Sequence, residues 1–221
     1  MAVSTQLFDL TGQVAVITGA SKGMGKAMAL ALAEHGSQVV VSSRKLDACE
    51  ETAAEINAAV GAERAIAIAC NIGYKEQLQG LVDETRSRLG PIDTLIANAG
   101  VNPFYGPMSE IPDEAFDKTM NSNLRSNHWL CQMVAPDMLA KQRGSIMITA
   151  SVGAFGPSDT LGTYNISKMA DIALVRNLAM EWGPQGVRVN ALCPGLIRTD
   201  FAKALWDNPE AAKRVTEQTP L

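Results

Sequence analysis

Tyr164-Asn165-Ile166-Ser167-Lys168 places a tyrosine and a lysine four residues apart in a stretch of helical spacing, so both lie on one helix face. A phenol so placed feels the ammonium. The free phenol has a pKa near ~10, and a neighbouring cation favours phenolate, which brings the group towards useful general acid or base behaviour at neutral pH. Proton transfer of this kind must accompany hydride transfer at a carbonyl or alcohol carbon. The spacing alone decides little, because three tyrosines and nine lysines in 221 residues give about 0.1 chance matches. Context comes from Ser151, which directly follows a β-branched strand and whose hydroxyl can hold a substrate oxygen. The plain alternative for Ser151 is a cap or turn residue. Asn123, within Asn121-Ser122-Asn123-Leu124, is a further candidate, although a helical Asn facing water is the commoner case.

A phosphate cradle precedes these residues. Thr18-Gly19-Ala20-Ser21-Lys22-Gly23-Met24-Gly25 follows an apolar strand and leads into an Ala-rich helix. Glycines there allow positive φ and close backbone approach, and the helix N-terminus offers unpaired N–H groups to a pyrophosphate. The spacing is GxxxGxG. It matches neither GxGxxG nor a P-loop, and a bare strand-to-helix turn or a methyltransferase turn has the same form. At the end of the second strand an NAD-preferring site usually carries an acid for the adenosine ribose. Here Ser42-Ser43-Arg44 stands instead. Arg44 can clamp a 2′-phosphate, Ser43 can hydrogen-bond it and Lys22 can reach it from the turn, a preference on the order of hundredfold for NADP(H). Two alternatives stay open: Arg44 as a solvated residue before a helix, and Asp47 turned towards the ribose.

These groups need elements to hold them. Strands are expected at Val14–Thr18, Gln38–Ser42, Arg64–Ala69, Asp93–Ala97, Ser145–Thr149 and Val187–Ala191. Helices are expected at Gly25–Glu34, Leu46–Ala59, Lys75–Leu89, Asp113–Lys141 and Thr160–Trp182, the last stopped by Gly183-Pro184. Short apolar strands alternating with helices predict a single-domain, doubly wound α/β fold with a parallel sheet, binding its ligand at the carboxyl ends of the strands. The composition, 47% hydrophobic and 19% charged, is that of an ordinary globular chain. A net charge of -4 without a basic run gives no attraction to nucleic acid or an anionic membrane. Cys49, Cys70, Cys131 and Cys193 form no CxxC pair, and with only His35 and His128 beside them no metal site is expected. With no signal-like N-terminus, a cytoplasmic protein with reduced thiols is expected.

The joint order of TGASKGMG, ANAG at Ala97 to Gly100, Asn123-Leu124, Ser151, Tyr164xxxLys168 and Pro194-Gly195 resembles the short-chain dehydrogenase/reductase family. The resemblance runs from Gly12 to about Leu221, and Ala99 to Pro107 looks most like its carbonyl reductases. It implies a strand order of 3-2-1-4-5-6. It also implies Tyr164 as acid/base, Lys168 lowering its pKa and bonding the nicotinamide ribose, Ser151 orienting the carbonyl and Asn123 holding a relay water. For the cofactor it implies Gly19, Ser21, Lys22, Gly23 and Met24 at the phosphates, with Ser43 and Arg44 at the 2′-phosphate. Asn71 and Ile72 fall at the adenine, Asn98 and Gly100 beside the ribose, and Pro194, Gly195, Ile197 and Thr199 at the nicotinamide.

The chain departs from the family pattern in three places. Asn71 stands where many members have Asp, and Ala97 stands where the segment often begins with Asn. The chain also ends at Leu221, where members usually continue into a helix and a seventh strand. A domain spanning 1–221, truncated at its C-terminus and with its last strand left open on one side, is therefore expected, as is assembly into a dimer or tetramer of this chain. Three readings follow: an NADP(H)-dependent oxidoreductase of a ketone or aldehyde and its alcohol, a non-catalytic dinucleotide-binding regulator, and a methyltransferase, which leaves the Tyr-Lys pair unexplained. Pocket-shaping segments Asn102–Met108, Gly153–Thr163 and Ala202–Trp206 are apolar and favour an uncharged or lipophilic carbonyl substrate.

Overall fold

Every side chain of Val14–Thr18 is buried, which is what a strand covered on both faces requires. This strand, β1, sits at the centre of a six-stranded parallel sheet in the computed structural model, which describes residues 7–199, 207 and 209–218. The other strands are β2 (Gln38–Ser43), β3 (Ala65–Ala69), β4 (Thr94–Ala97), β5 (Gly144–Thr149) and β6 (Val187–Leu192), in the order β3-β2-β1-β4-β5-β6. Helices α1 (Gly23–Glu34), α2 (Leu46–Val60), α3 (Lys75–Leu89), α4 (Asp113–Met120), α5 (Ser126–Ala140) and α6 (Gly162–Trp182) make the crossovers, and α7 spans Pro209–Gln218.

The period-two alternation of the strands sorts the core into two layers. Ala15, Ile17, Val39 and Val41 face Ala29 and Ala33 of α1 and Cys49, Ala53 and Ile56 of α2. Their neighbours Val16, Val40, Leu95, Ile146 and Ile148 face Leu78 of α3, Leu130 and Val134 of α5, and Val175 and Leu178 of α6. The expected doubly wound fold and strand order are those observed. Because β1 pairs with both β2 and β4, their carboxyl ends diverge at the switch point where ligands bind in such sheets.

Several boundaries differ from the sequence expectation. Strand β2 runs one residue further, because Ser43 pairs with Ala69 and its carbonyl accepts from Cys70 N. Helix α1 starts two residues earlier, at Gly23. Helix α6 starts two residues later, because Ser158 Oγ accepts from the N–H groups of Thr160 and Leu161 and holds that stretch in a turn. The helical stretch expected over 113–141 is three pieces, with a π-helical turn at Asn121–Arg125 between α4 and α5. No element was expected where α7 lies. Strand β6 pairs with β5 alone among the described residues. Its exposed positions carry Arg188 and Asn190, so that face of the strand is polar.

Candidate active site

At the carboxyl end of β1 the chain turns through Gly19 (φ +65°) and Gly23 (φ +57°) into α1. A Cβ on Gly25 would lie 2.3 Å from Gly19 O, and one on Gly19 would lie 2.9 Å from Ala99 Cα, so the turn is packed too tightly for side chains. Neighbouring strands hold it in place: Ala20 N donates to Ser42 O and Thr52 Oγ1 donates to Ser21 O. Asn98 Nδ2 donates to Thr18 O (3.1 Å) and Gly19 O (3.2 Å), and Thr18 Oγ1 accepts from the N–H groups of Asn98 and Ala99. The Asn98 carboxamide thus spends its donors on the turn itself. Among the described residues no side chain caps α1, and its first turn carries no acid, which leaves a helix terminus suited to an anion.

The residues expected at the adenosine end lie around the ends of β2 and β3. Arg44 and Lys22 are exposed, and Ser21 and Met24 are half-buried in the turn. Ser43 Oγ is turned inwards, 3.1 Å from Cys49 Sγ and 3.4 Å from Lys45 O. Asp47 occupies the first turn of α2, where a carboxylate complements the helix dipole. Asn71 Oδ1 accepts from Gly73 N within its own loop, and Ile72 packs against the core.

At the other end of the crevice Tyr164 and Lys168 project from α6. The phenol is hydrogen-bonded to the Ser151 side chain, and Lys168 Nζ lies 5.8 Å from the ring centre. Ser151 Oγ also accepts from Gly153 N (3.1 Å). Lys168 is buried, and its ammonium donates to Thr149 O (2.7 Å) and to Asp171 Oδ2 (3.2 Å). Gly100 is drawn into the same place, since a Cβ there would stand 3.4 Å from Asn123 Oδ1 and 3.6 Å from Lys168 Nζ. Asn123, fully buried, accepts from Val101 N and donates to Val101 O and to Ser167 Oγ. Asn123 sits in the π turn that interrupts the regular helix, with its side chain buried. The loop after β6 closes over the crevice: Val152 N donates to Pro194 O, and Thr199 Cγ2 would lie 3.2 Å from a Cβ on Gly23. Gly195 has open space beside it and Ile197 is exposed.

The electrostatics correct one expectation. The Tyr164 phenol is raised above its ordinary value: burial raises it most, the Ser151 hydrogen bond lowers it, and the Asp171 carboxylate raises it further. The expected downward pull of Lys168 does not set the direction, which burial decides first and the Asp171 carboxylate reinforces. Burial likewise pushes the Asp171 carboxyl up, opposed by Lys168 and by a hydrogen bond from Asn127. Asp171, Asn127 and Ser167 were not singled out from the sequence. A signal exists in the steps of four and three from Tyr164 to Lys168 to Asp171, which share one helix face.

Between the 153–158 loop and α6 lies a cavity of about 300 Å³, lined among others by Met108, Ala154, Pro157 and Ile166. The segment Ala202–Trp206 expected to shape the pocket lies outside the described residues. Among the described residues no cluster of three His, Cys, Asp or Glu could hold a metal, and no helix is long and apolar enough to cross a membrane.

The family described as short chain dehydrogenase matches residues 13–210. Dehydrogenase/reductase SDR family member 4 of Oryctolagus cuniculus is 37% identical over 214 residues, 97% of this chain and 82% of that protein. A gluconate 5-dehydrogenase from Burkholderia cenocepacia, in complex with NADP and tartrate, superimposes with a TM-score of 0.92 at 28% identity, covering 98% of this chain and 84% of that one. A 7α-hydroxysteroid dehydrogenase complexed with NADH and 7-oxo glycochenodeoxycholic acid gives 0.90 at 35% identity, covering 97% and 82%.

Proposed function

The chain belongs to the short-chain dehydrogenase/reductase family, and from that premise we propose that it is an NADP(H)-dependent oxidoreductase interconverting a ketone or aldehyde and its alcohol, with Tyr164 as acid/base. The observation that carries the reading is the Tyr164 phenol hydrogen-bonded to Ser151 across the crevice from the glycine turn.

The residues present fit a dinucleotide. The side-chain-free turn and the uncapped, acid-free start of α1 suit its pyrophosphate, and the loop at 194–199 lies opposite. When bound, the nicotinamide supplies or accepts the hydride. In the reduction direction Ser151 Oγ orients the carbonyl oxygen and Tyr164 O–H donates the proton that makes the alcohol. In oxidation the same phenol oxygen takes that proton back. Lys168, held by Thr149 O and Asp171, retains one of its three donors for the ribose. Arg44, just beyond β2, and Lys22 of the glycine turn, both exposed, support NADP(H) over NAD(H), and Asp47 is accounted for as a helix-start residue. Exposed Val152 and Phe155, which follow Ser151 in the chain, and exposed Tyr105 support a lipophilic, uncharged substrate. A cytoplasmic setting, with free thiols at all four cysteines, and assembly into a dimer or tetramer complete the proposal.

Tyr164→Phe should keep NADPH binding, read by nucleotide fluorescence, and lose about 10²–10⁴ in turnover on a panel of ketones followed by NADPH absorbance. Unchanged turnover would remove Tyr164 from the chemistry. Arg44→Asp should shift the NADPH/NADH ratio of kcat/KM by roughly hundredfold towards NADH. An unaltered ratio would take Arg44 out of the cofactor site.

A further inference from the structure

Among the described residues the most deeply buried charges are Lys168 of the acid/base pair and Asp171, one turn behind it. Asp171 is fully buried, and Lys168, its partner at 3.2 Å, is 3% exposed. Ion pairs so enclosed stabilise poorly compared with apolar side chains of the same size, because desolvation offsets the attraction. Their geometry here is specific. Asp171 Oδ1 accepts from Asn127 Nδ2 (2.9 Å), and that same amide donates to Asn123 O (2.5 Å). A backbone carbonyl can only accept, so the Asn127 NH₂ must face inwards, and its second hydrogen is thereby aimed at the carboxylate. Both Asp171 oxygens therefore meet donors, as an ionised carboxylate requires. The groups facing it are Lys168 and Tyr164 from α6, and Asn127 and Cys131 from α5, while Thr149 O from β5 holds the far side of the ammonium. The negative charge is felt around it: it adds to the burial that pushes the Cys131 thiol up to about 12, and it raises the Tyr164 phenol.

We propose that Asp171 is a positioning residue: its carboxylate fixes the Lys168 ammonium against β5 and offsets that charge, keeping Tyr164 a neutral phenol able to donate a proton. The inference rests on the reading of Tyr164 as the acid/base. Asn127 serves as the clamp that keeps Asp171 ionised and aimed. The arrangement favours the proton-donating half of the reaction, the reduction of a carbonyl. Oxidation, which needs phenolate, gains from whatever weakens the carboxylate.

The phenol can be titrated without turnover. Phenolate difference absorbance of the full chain, with Tyr164→Phe in the same background as blank, isolates Tyr164 from Tyr74 and Tyr105. In Asp171→Asn, which keeps the shape, the Tyr164 midpoint should fall by about one pH unit, tenfold more phenolate at a given pH below the midpoint. Asn127→Ser should move it the same way by less. Circular dichroism establishes that each variant is folded across the titration. A midpoint in folded Asp171→Asn equal to that of the parent overturns the proposal. If that variant does not fold, Asn127→Ser decides by the same readout, and an unmoved midpoint again overturns it. The measurement is separable from the proposed function, because a Tyr164→Phe protein that still turns over refutes the catalytic reading while the midpoints still report on Asp171.

Discussion

The Tyr164 phenol lies between opposing influences, with burial and the Asp171 carboxylate holding its proton on and the Ser151 hydroxyl loosening it. Its value in the fold is raised, so its contribution to stability is complete below about pH 10, the ordinary tyrosine value, and is lost as pH rises through the folded value. Tyr164→Phe removes this loss. Urea unfolding at increasing alkaline pH should show the parent losing stability faster than the variant. A cationic nicotinamide disfavours a neighbouring proton, so Tyr164 should titrate lower with NADP⁺ present than in the free protein, read by the same phenolate absorbance. At this scale the meeting of Tyr164, Lys168 and Ser151 was legible in the sequence, because their types and order pointed to one site. Asp171 and Asn127 were not, because a carboxylate three residues beyond a lysine reads as an exposed helix pair until tertiary packing buries it. The direction of the phenol shift was misjudged for the same reason.

Elements differ in how much each tolerates. In the glycine turn, Gly25→Ala would set a carbon 2.3 Å from Gly19 O and 2.9 Å from Ala20 Cα, both backbone atoms that cannot swing aside. That variant should lose NADPH binding and melt lower. On α3, Gly80 is exposed at mid-helix with nothing within 4 Å of an added Cβ. Gly80→Ala should stabilise by roughly 0.5–1 kcal/mol and raise Tm by about 1–4 °C, by scanning calorimetry. The two substitutions are chemically identical and opposite in sign. Sequence period located the strands and helices within a residue or two, since burial on both faces of β1 and β2 leaves little freedom. The break at 121–125 escaped, because a π turn inserts one residue without changing the apolar spacing on either side, and its cause, Asn123 reaching Val101, is a long-range bond.

Across the whole molecule the alternating strands divide the core between two helical layers, with the central strands buried on both faces between them. Leu95, fully buried on β4, packs among the β1, β5, α3 and α5 side chains. Leu95→Ala should cost about 2–5 kcal/mol by urea unfolding, with nucleotide binding retained by the folded fraction. The alternation of strands and helices made the parallel, doubly wound sheet legible, and the family resemblance implied the strand order that is observed. One bond across the switch point has a temporal consequence. Asn98 grips Thr18 and Gly19 from 80 and 79 residues further along the chain. During synthesis at about 5–20 residues per second, the glycine turn is made roughly 4–16 s before the amide that braces it. The turn therefore acquires its brace only once β4 has been made and has docked, so on the proposed function nucleotide capture would follow that step.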